Sequence, residues 1–326
     1  MTTRLGLVGA AGAVGQELLG ILTERRFPIT ELRAFGSRGG GEITHGGASV
    51  PLRALGPGAF DGLDLVFFAT PAAVAREWAP RAVAAGCTVI DNSSAFREEP
   101  DVPLVVPEVN AATLRRPEPP GLIANPNCST ILLVLALAPL HRAAGLSRVV
   151  VSTYQAASGA GHRAVQELRD GVRAALEGRA FTAAALPHSL AFNLFAAIGT
   201  IDDQGSTGEE AKILRESRRI LDLPDLPIDA TCVRVPVERC HSESVTVELA
   251  RDLSVDAARA ALAGAPGVIV VDGDGPQPVD RHGRDEVGVG RLRRSRVFAP
   301  GLAFWLVGDQ LRKGAALNAV QIAENL

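Results

Sequence analysis

The chain has 326 residues, 47% of them hydrophobic and 21% charged, with a net charge of −3. That length suits two cores at about 100–200 residues per domain, and the mild negative balance supplies no basic surface for nucleic acid or an anionic membrane. The longest apolar run, residues 131–140, falls short of the ~18–20 residues of a membrane span, and the N-terminus has no long apolar signal region, so a cytoplasmic protein is expected.

Residues 4–8 read as a buried strand that stops at Gly9, and an apolar helix follows over 14–22. Strand-like runs recur at 32–35, 63–69, 88–90, 104–106 and 122–124, with a helix over 72–85. Strands alternating with helices predict an α/β, Rossmann-like doubly wound domain with a parallel sheet. After about residue 147 the pattern changes. Strands are expected at 149–153, 233–237, 244–249, 268–271, 287–292 and 304–307, and helices at 165–176 and 207–221. This reads as an α+β domain with a mostly antiparallel sheet. An amphipathic helix over 310–325 closes the chain. The domains are expected at 1–128 with 308–326, and at 129–307. Residues 272–284 form a Gly/Asp/Pro-rich loop without a full set of calcium ligands, and the cysteines lack metal-like CxxC spacing, so no metal is expected.

Gly9-Ala10-Ala11-Gly12-Ala13-Val14-Gly15 lies between the first strand and the first helix. Glycines belong there when backbone must approach a pyrophosphate that also meets a helix N-terminus. The GxxGxxG spacing is a variant of the usual dinucleotide fingerprint, and its position after an N-terminal strand supports the nucleotide reading. The second strand runs into Gly36-Ser37-Arg38-Gly39, with no carboxylate for a ribose 2′-hydroxyl but with an arginine suited to a 2′-phosphate. NADP is therefore the expected cofactor. The competing reading of Arg38 is one exposed arginine among many, because only Lys212 and Lys313 of the 33 basic side chains are lysine.

Asn125-Pro126-Asn127-Cys128-Ser129-Thr130 opens an apolar helix. A thiol there sits at the positive end of the helix dipole, which favours the nucleophilic thiolate. Cys87, Cys232 and Cys240 have no such setting and read as buried structural thiols. A cysteine nucleophile beside a nicotinamide site implies a thioester: thiolate adds to an aldehyde, hydride leaves, and an acceptor cleaves the acyl group.

With these residues in place the chain resembles the aspartate-β-semialdehyde dehydrogenase family over nearly its whole length. The resemblance is carried by Gly9 to Gly15, Asn92-Ser93-Ser94-Ala95-Phe96-Arg97, Asn125 to Thr130, Thr153-Tyr154-Gln155-Ala156-Ala157-Ser158-Gly159-Ala160-Gly161, Ala191-Phe192-Asn193, Glu209-Glu210-Ala211-Lys212, Arg234-Val235-Pro236-Val237 with His241, and the segment from Lys313 to Glu324. It implies reduction of aspartyl 4-phosphate to the semialdehyde, on the way to lysine (through diaminopimelate), threonine and methionine, by a homodimer. Cys128 would be the acyl-thioester nucleophile, His241 the general acid/base and Gln155 the residue that orients substrate near sulfur. Arg234 would fork onto the α-carboxylate, and Glu209 would meet the α-ammonium. Arg97, Asn127 and Lys212 would contact phosphate. The resemblance also implies that Gly9, Ala11, Gly12, Ala13, Val14, Ser37, Arg38, Gly39, Ser158, Gly159 and Gln310 line the cofactor. Two other readings compete: a related acyl-phosphate reductase such as N-acetyl-γ-glutamyl-phosphate reductase, and a non-catalytic relative, which would be expected to lose the nucleophile or its base.

Overall fold

The computed structural model describes residues 3–36, 39–115 and 121–326. In chain order the first elements are β1 (Thr3–Val8), α1 (Ala13–Glu24), β2 (Ile29–Gly36), β3 (Glu42–His45), β4 (Ala48–Ala54), β5 (Leu65–Phe68), α2 (Ala72–Ala84), β6 (Thr88–Asp91), α3 (Pro107–Asn110) and β7 (Leu122–Ala124). There follow α4 (Cys128–Ala144), β8 (Leu146–Gln155), α5 (His162–Leu176), α6 (Gly208–Leu221), β9 (Ile228–Arg234), β10 (His241–Leu249) and α7 (Val255–Ala263). The last are β11 (Val268–Val271), α8 (Pro278–Arg281), β12 (Val287–Arg294), β13 (Gly301–Gly308) and α9 (Leu317–Glu324). The chain divides into two compact units, one of Met1–Asn127 with Ala315–Leu326 and one of Cys128–Gly314.

In the first unit, the described strands form one sheet in the order β3-β4-β2-β1-β5-β6-β7. All its pairings are parallel except β3 with β4. The central strands are apolar on both faces, as a sheet covered on both sides requires. Leu5, Leu7, Leu65 and Phe67 face α1 and α9, packing with Leu18, Ile21 and Val320. Val66 and Phe68 turn to the opposite face and pack on Ala75, Ala79 and Ala82 of α2. The β3–β4 hairpin escapes the sequence reading. Its turn is Gly46-Gly47, both at positive φ (57° and 81°), a glycine pair that two-residue hairpins favour. The strand expected at 104–106 reduces to a single bridge from Leu104 to Ala124, because Pro107 starts α3.

In the second unit the described strands run β11-β12-β13-β10-β8-β9. Pairings β12–β13, β13–β10 and β10–β8 are antiparallel, while β11–β12 and β8–β9 are parallel. α4 is buried along most of its length, Ser129 through Leu140, which explains its lack of a polar face. β9 ends at Arg234 rather than reaching 237, since Pro236 puts a bend beyond it. The chain leaves this unit at Gly314, later than the expected 308. β13 is an internal strand of the sheet, and Asp309 then ties the next turn inward, bonding Arg239, Gly283 and Leu311. The expected closing helix is accordingly split into a π-helical turn at Arg312–Ala316 and regular helix in α9. Among the described residues no helix is long and apolar enough to cross a membrane.

Candidate active site

The glycine loop of the first unit has the shape its sequence suggests. The Gly9 N–H donates to Phe35 O at 2.9 Å, and Gly12 N–H donates back to Gly9 O at 3.0 Å. Gly9 has φ +86°, and a Cβ on it would lie 2.2 Å from the Ala69 carbonyl oxygen. A Cβ on Gly15 would lie 2.3 Å from Gly9 O, so this glycine lets α1 start hard against β1. Gly12 is the N-cap of α1 and brings no side-chain cap, while Ala11 and Gly12 are exposed and Ala13 and Val14 half-buried. A bare helix start with small residues before it fits a pyrophosphate. Gly39, φ +64°, packs on Ala54. Ser37 and Arg38 lie outside the described residues.

Cys128 is the first residue of α4 and is half-buried, whereas Cys87, Cys232 and Cys240 are buried. Burial raises the Cys87 thiol and pushes that of Cys240 up to about 12. Burial likewise raises Cys232. Burial thus favours the neutral thiol at all three, and Cys128 is the one of the four cysteines that is not buried. Gly314 approaches it so closely that an added Cβ would lie 3.1 Å from Cys128 Cβ.

The ends of three adjacent strands assemble the rest. β9 pairs with β8 so that Arg234 stands opposite Gln155, and β10 begins at His241 on the other side of β8. Arg234 Nη1 donates to Ala156 O at 2.6 Å, and the Ala156 N–H donates to His241 Nδ1 at 3.1 Å. One backbone unit therefore holds both side chains. Arg234, Gln155 and His241 are all buried. Burial pulls the Arg234 guanidinium down, while Cys128 and Glu209 oppose that shift by their charge. Burial, with Arg234 adding to it, holds the His241 imidazole well below its usual range. Gly159 is exposed, and a Cβ there would sit 2.9 Å from Arg234 Nη1 and 3.1 Å from His241 Nε2. A glycine is what leaves room in front of both groups.

Glu209 and Lys212 share one face of α6, with Nζ 3.0 Å from Oε2. Their helix starts in a capping box between Thr207 and Glu210, which fixes the turn that carries Glu209. Ser158 accepts from the Gln310 amide, whose Oε1 accepts the Cys240 N–H at 2.8 Å. In the first unit, Arg97 is buried and donates to Asn125 O at 2.9 Å and Asn92 O at 2.8 Å; Asn127 is buried as well. The structure thus gathers Cys128, Gln155, Arg234 and His241 in the second unit with Glu209 and Lys212, and sets Arg97 and Asn127 in the first.

Residues 4–116 match the profile of the semialdehyde dehydrogenase NAD binding domain, and residues 137–313 that of the semialdehyde dehydrogenase dimerisation domain. An aspartate-semialdehyde dehydrogenase of Aquifex aeolicus is 47% identical over 100% of this chain and 98% of its own. This chain belongs to the aspartate-semialdehyde dehydrogenase family. The aspartate-semialdehyde dehydrogenase II of Vibrio cholerae, solved in complex with ASA, superimposes with a TM-score of 0.97 at 37% identity, covering 100% of this chain and 98% of that one. The Candida albicans aspartate-semialdehyde dehydrogenase, solved with NADP, has a TM-score of 0.77 at 25% identity over 100% and 98% of the two chains. The comparisons do not favour either competing reading, the N-acetylglutamyl-phosphate reductase or the non-catalytic relative.

In this member of the aspartate-semialdehyde dehydrogenase family, three contributors to the site escaped the sequence. Ala156 acts through its backbone alone, and an alanine carries no signal of that. Thr153 accepts from Gln155 Nε2 at 3.3 Å, one row further into the sheet. Glu243 stands opposite Thr153 on β10, fully buried, with neither carboxyl oxygen bonded among the described residues, and burial pushes it well above the ordinary carboxylate range. Its clue was available: in His241-Ser242-Glu243-Ser244-Val245 the acid falls on the inward face of an alternating strand.

Proposed function

We propose that this enzyme reduces L-aspartyl 4-phosphate to L-aspartate 4-semialdehyde with NADPH, through a thioester on Cys128, and catalyses the phosphorylating oxidation in reverse. The observation that carries the reading is the buried Arg234, with the nearby charges of Cys128 and Glu209, in a chain whose near relative was solved with ASA. A guanidinium fixed on one side and a carboxylate nearby suit the two charges of an amino acid: Arg234 forks onto the α-carboxylate and Glu209 meets the α-ammonium. Lys212, Arg97 and Asn127 hold the phosphate, Gln155 orients the acyl group, and His241 is the general acid/base. When bound, NADP(H) supplies or accepts the hydride. The glycine loop with Ala11, Ala13 and Val14 holds its pyrophosphate, Ser158 and Gly159 with Gln310 behind them border the nicotinamide, and Ser37, Arg38 and Gly39 receive the 2′-phosphate. The absence of a carboxylate after β2 supports NADP over NAD. A cytoplasmic homodimer in the synthesis of lysine, threonine and methionine is the corresponding biological setting; the matched dimerisation domain and the four free cysteines support it.

The test mixes purified enzyme with L-aspartate 4-semialdehyde, phosphate and NADP⁺ and follows reduced nicotinamide by absorbance. Formation of NADPH that needs phosphate, and that falls by at least about 10³-fold in Cys128→Ala, is the expected result. A comparable rate with NAD⁺ would remove the cofactor assignment. No reduction by folded, cofactor-binding protein would sink the substrate.

A further inference from the structure

A line of asparagine side chains crosses the carboxyl ends of β5, β6 and β7, three adjacent parallel strands of the first unit. Asn318 of α9, buried, donates from Nδ2 to Val105 O at 2.9 Å and to Asn125 Oδ1 at 2.7 Å. Asn125, the buried residue after β7, donates from its own Nδ2 to Asn92 Oδ1 at 3.0 Å and to Ala315 O at 3.3 Å. Asn92, the residue after β6, donates to Phe68 O at the end of β5, 3.0 Å away. Each amide is oriented by a main-chain carbonyl, that of Val105, Ala315 or Phe68, which can only accept. The line therefore has one direction, from α9 to β5.

Its two middle members are also the residues that hold the guanidinium of Arg97. Arg97 Nε donates to the main-chain oxygen of Asn125 at 2.9 Å, and Nη2 donates to that of Asn92 at 2.8 Å. A planar fork bonded to two carbonyls has its plane set by where those carbonyls stand. Asn92 and Asn125 follow different strands, and two bonds tie those strand ends together. One is the amide bond from Asn125 to Asn92; the other runs from the Asn125 N–H to Asp91 O at 2.8 Å. Asn318 holds the oxygen of the Asn125 amide, so losing it frees that amide to turn away from Asn92. Packing of α9 does not call for an amide here. Leu317, Val320 and Ile322 already bury the helix in the core, and a polar group beside them is costly without its bonds.

We propose that Asn318 is a positioning residue for the phosphate end of the site: through Asn125 it fixes the two carbonyls that aim Arg97. The inference rests on the phosphate role given to Arg97 above. Carboxyl ends of strands are where open parallel sheets receive ligands, and a group that must meet an anion there needs its support locked in turn. The last helix of the chain supplies that lock. Asn318 acts on the anion through Asn125 and Arg97, in series, so its effect should vanish when Arg97 is gone.

A double-mutant cycle tests this in the oxidative direction, with kcat/KM measured for phosphate and for the semialdehyde, the other reactants saturating. Asn318→Ala should lower the phosphate constant about tenfold and leave the semialdehyde constant within about twofold. Arg97→Ala should lower the phosphate constant further, and adding Asn318→Ala to it should change nothing more. Asn318→Ser keeps a hydroxyl that can make one of the two donated bonds. It carries the same test, with a fall of about threefold, where the alanine variant does not fold. An amide that only staples α9 to the sheet would reduce the folded fraction and lower both constants alike. That result would overturn the inference, as would additive losses in the double variant. A phosphate constant untouched by Arg97→Ala would instead remove the phosphate role of Arg97, and the inference with it.

Discussion

Gly9 and Gly159 both keep a Cβ out of a crowded place, yet what they make room for differs. In the first unit a Cβ on Gly9 or Gly15 would strike main chain, at 2.2 Å from Ala69 O and 2.3 Å from Gly9 O. In the second unit a Cβ on Gly159 would meet only side-chain ends, those of Arg234 and His241. Backbone cannot step aside without dragging its strand, whereas a side chain can change rotamer. The glycine loop is thus a condition of the first fold. Gly159 is a condition of where two buried polar groups point.

The sharpest way to break that contrast is Gly9→Ala. It combines a φ of +86° with a backbone clash, costs of about 1–2 kcal/mol and more than that respectively. A destabilisation above about 3 kcal/mol is expected, seen as a fall of roughly 10 °C in the melting temperature. Gly12→Ala is the control within the same loop: its φ is −77° and its nearest neighbour 3.3 Å away. It should melt within a few degrees of wild type while weakening binding of the nicotinamide dinucleotide by about tenfold, near 1.4 kcal/mol. Equal melting of the two variants would erase the distinction between glycines that shape the chain and the one that admits the ligand.

Gly159→Ala comes next. It should leave the melting temperature nearly unchanged and lower kcat/KM by roughly 10²-fold, because displacing positioned groups by about 1 Å is enough for that. Steady-state kinetics beside calorimetry decides it. A large loss of stability at full activity would make Gly159 another Gly9.

The same physical contrast governs what could be read in advance. The glycine loop is legible because backbone geometry demands glycine at fixed local spacing. Cys128 is legible because Pro126 and the asparagines announce a helix start. Arg234 and His241 close one strand and open the next across the bend at Pro236, whereas Gln155 comes from a strand far earlier in the chain and meets them only through sheet register, a link that resemblance rather than spacing supplied. Thr153 and Ala156 were invisible for the same reason, compounded at Ala156 by a role that belongs to its N–H, while Glu243 was marked by the alternation of β10. The β3–β4 hairpin was missed although Gly46-Gly47 marks its turn, since its strands are short and half-exposed and lack a strong apolar period. The C-terminal segment looked like one helix because its apolar period runs through; the wide turn at Arg312–Ala316 changes hydrogen bonding without disturbing that period.

Glu243 tests the second region with the smallest expected effect and the clearest sign. Below its unfolded value near 4.5, the carboxyl is protonated whether the chain is folded or not, and burial adds no pH dependence. Above it the unfolded chain releases the proton, while the folded protein, whose Glu243 is held well above the ordinary range, keeps it. The group's contribution to stability is therefore lost as pH rises toward the folded value. His241 acts in the opposite direction: its folded value lies below 6.5, so its contribution is lost as pH falls below that. Glu243→Gln removes the first dependence and leaves the second. The variant should melt close to wild type at pH 5 and a few degrees higher at pH 8, with the gap widening steadily between. Activity should stay within about threefold, under ~0.7 kcal/mol, since the amide, like the neutral acid, gives His241 no counter-charge. A gap that stays flat with pH would mean that Glu243 is ionised in the folded protein. The polar row beneath His241 would then carry a negative charge, opposing the burial and the Arg234 charge that hold that imidazole neutral.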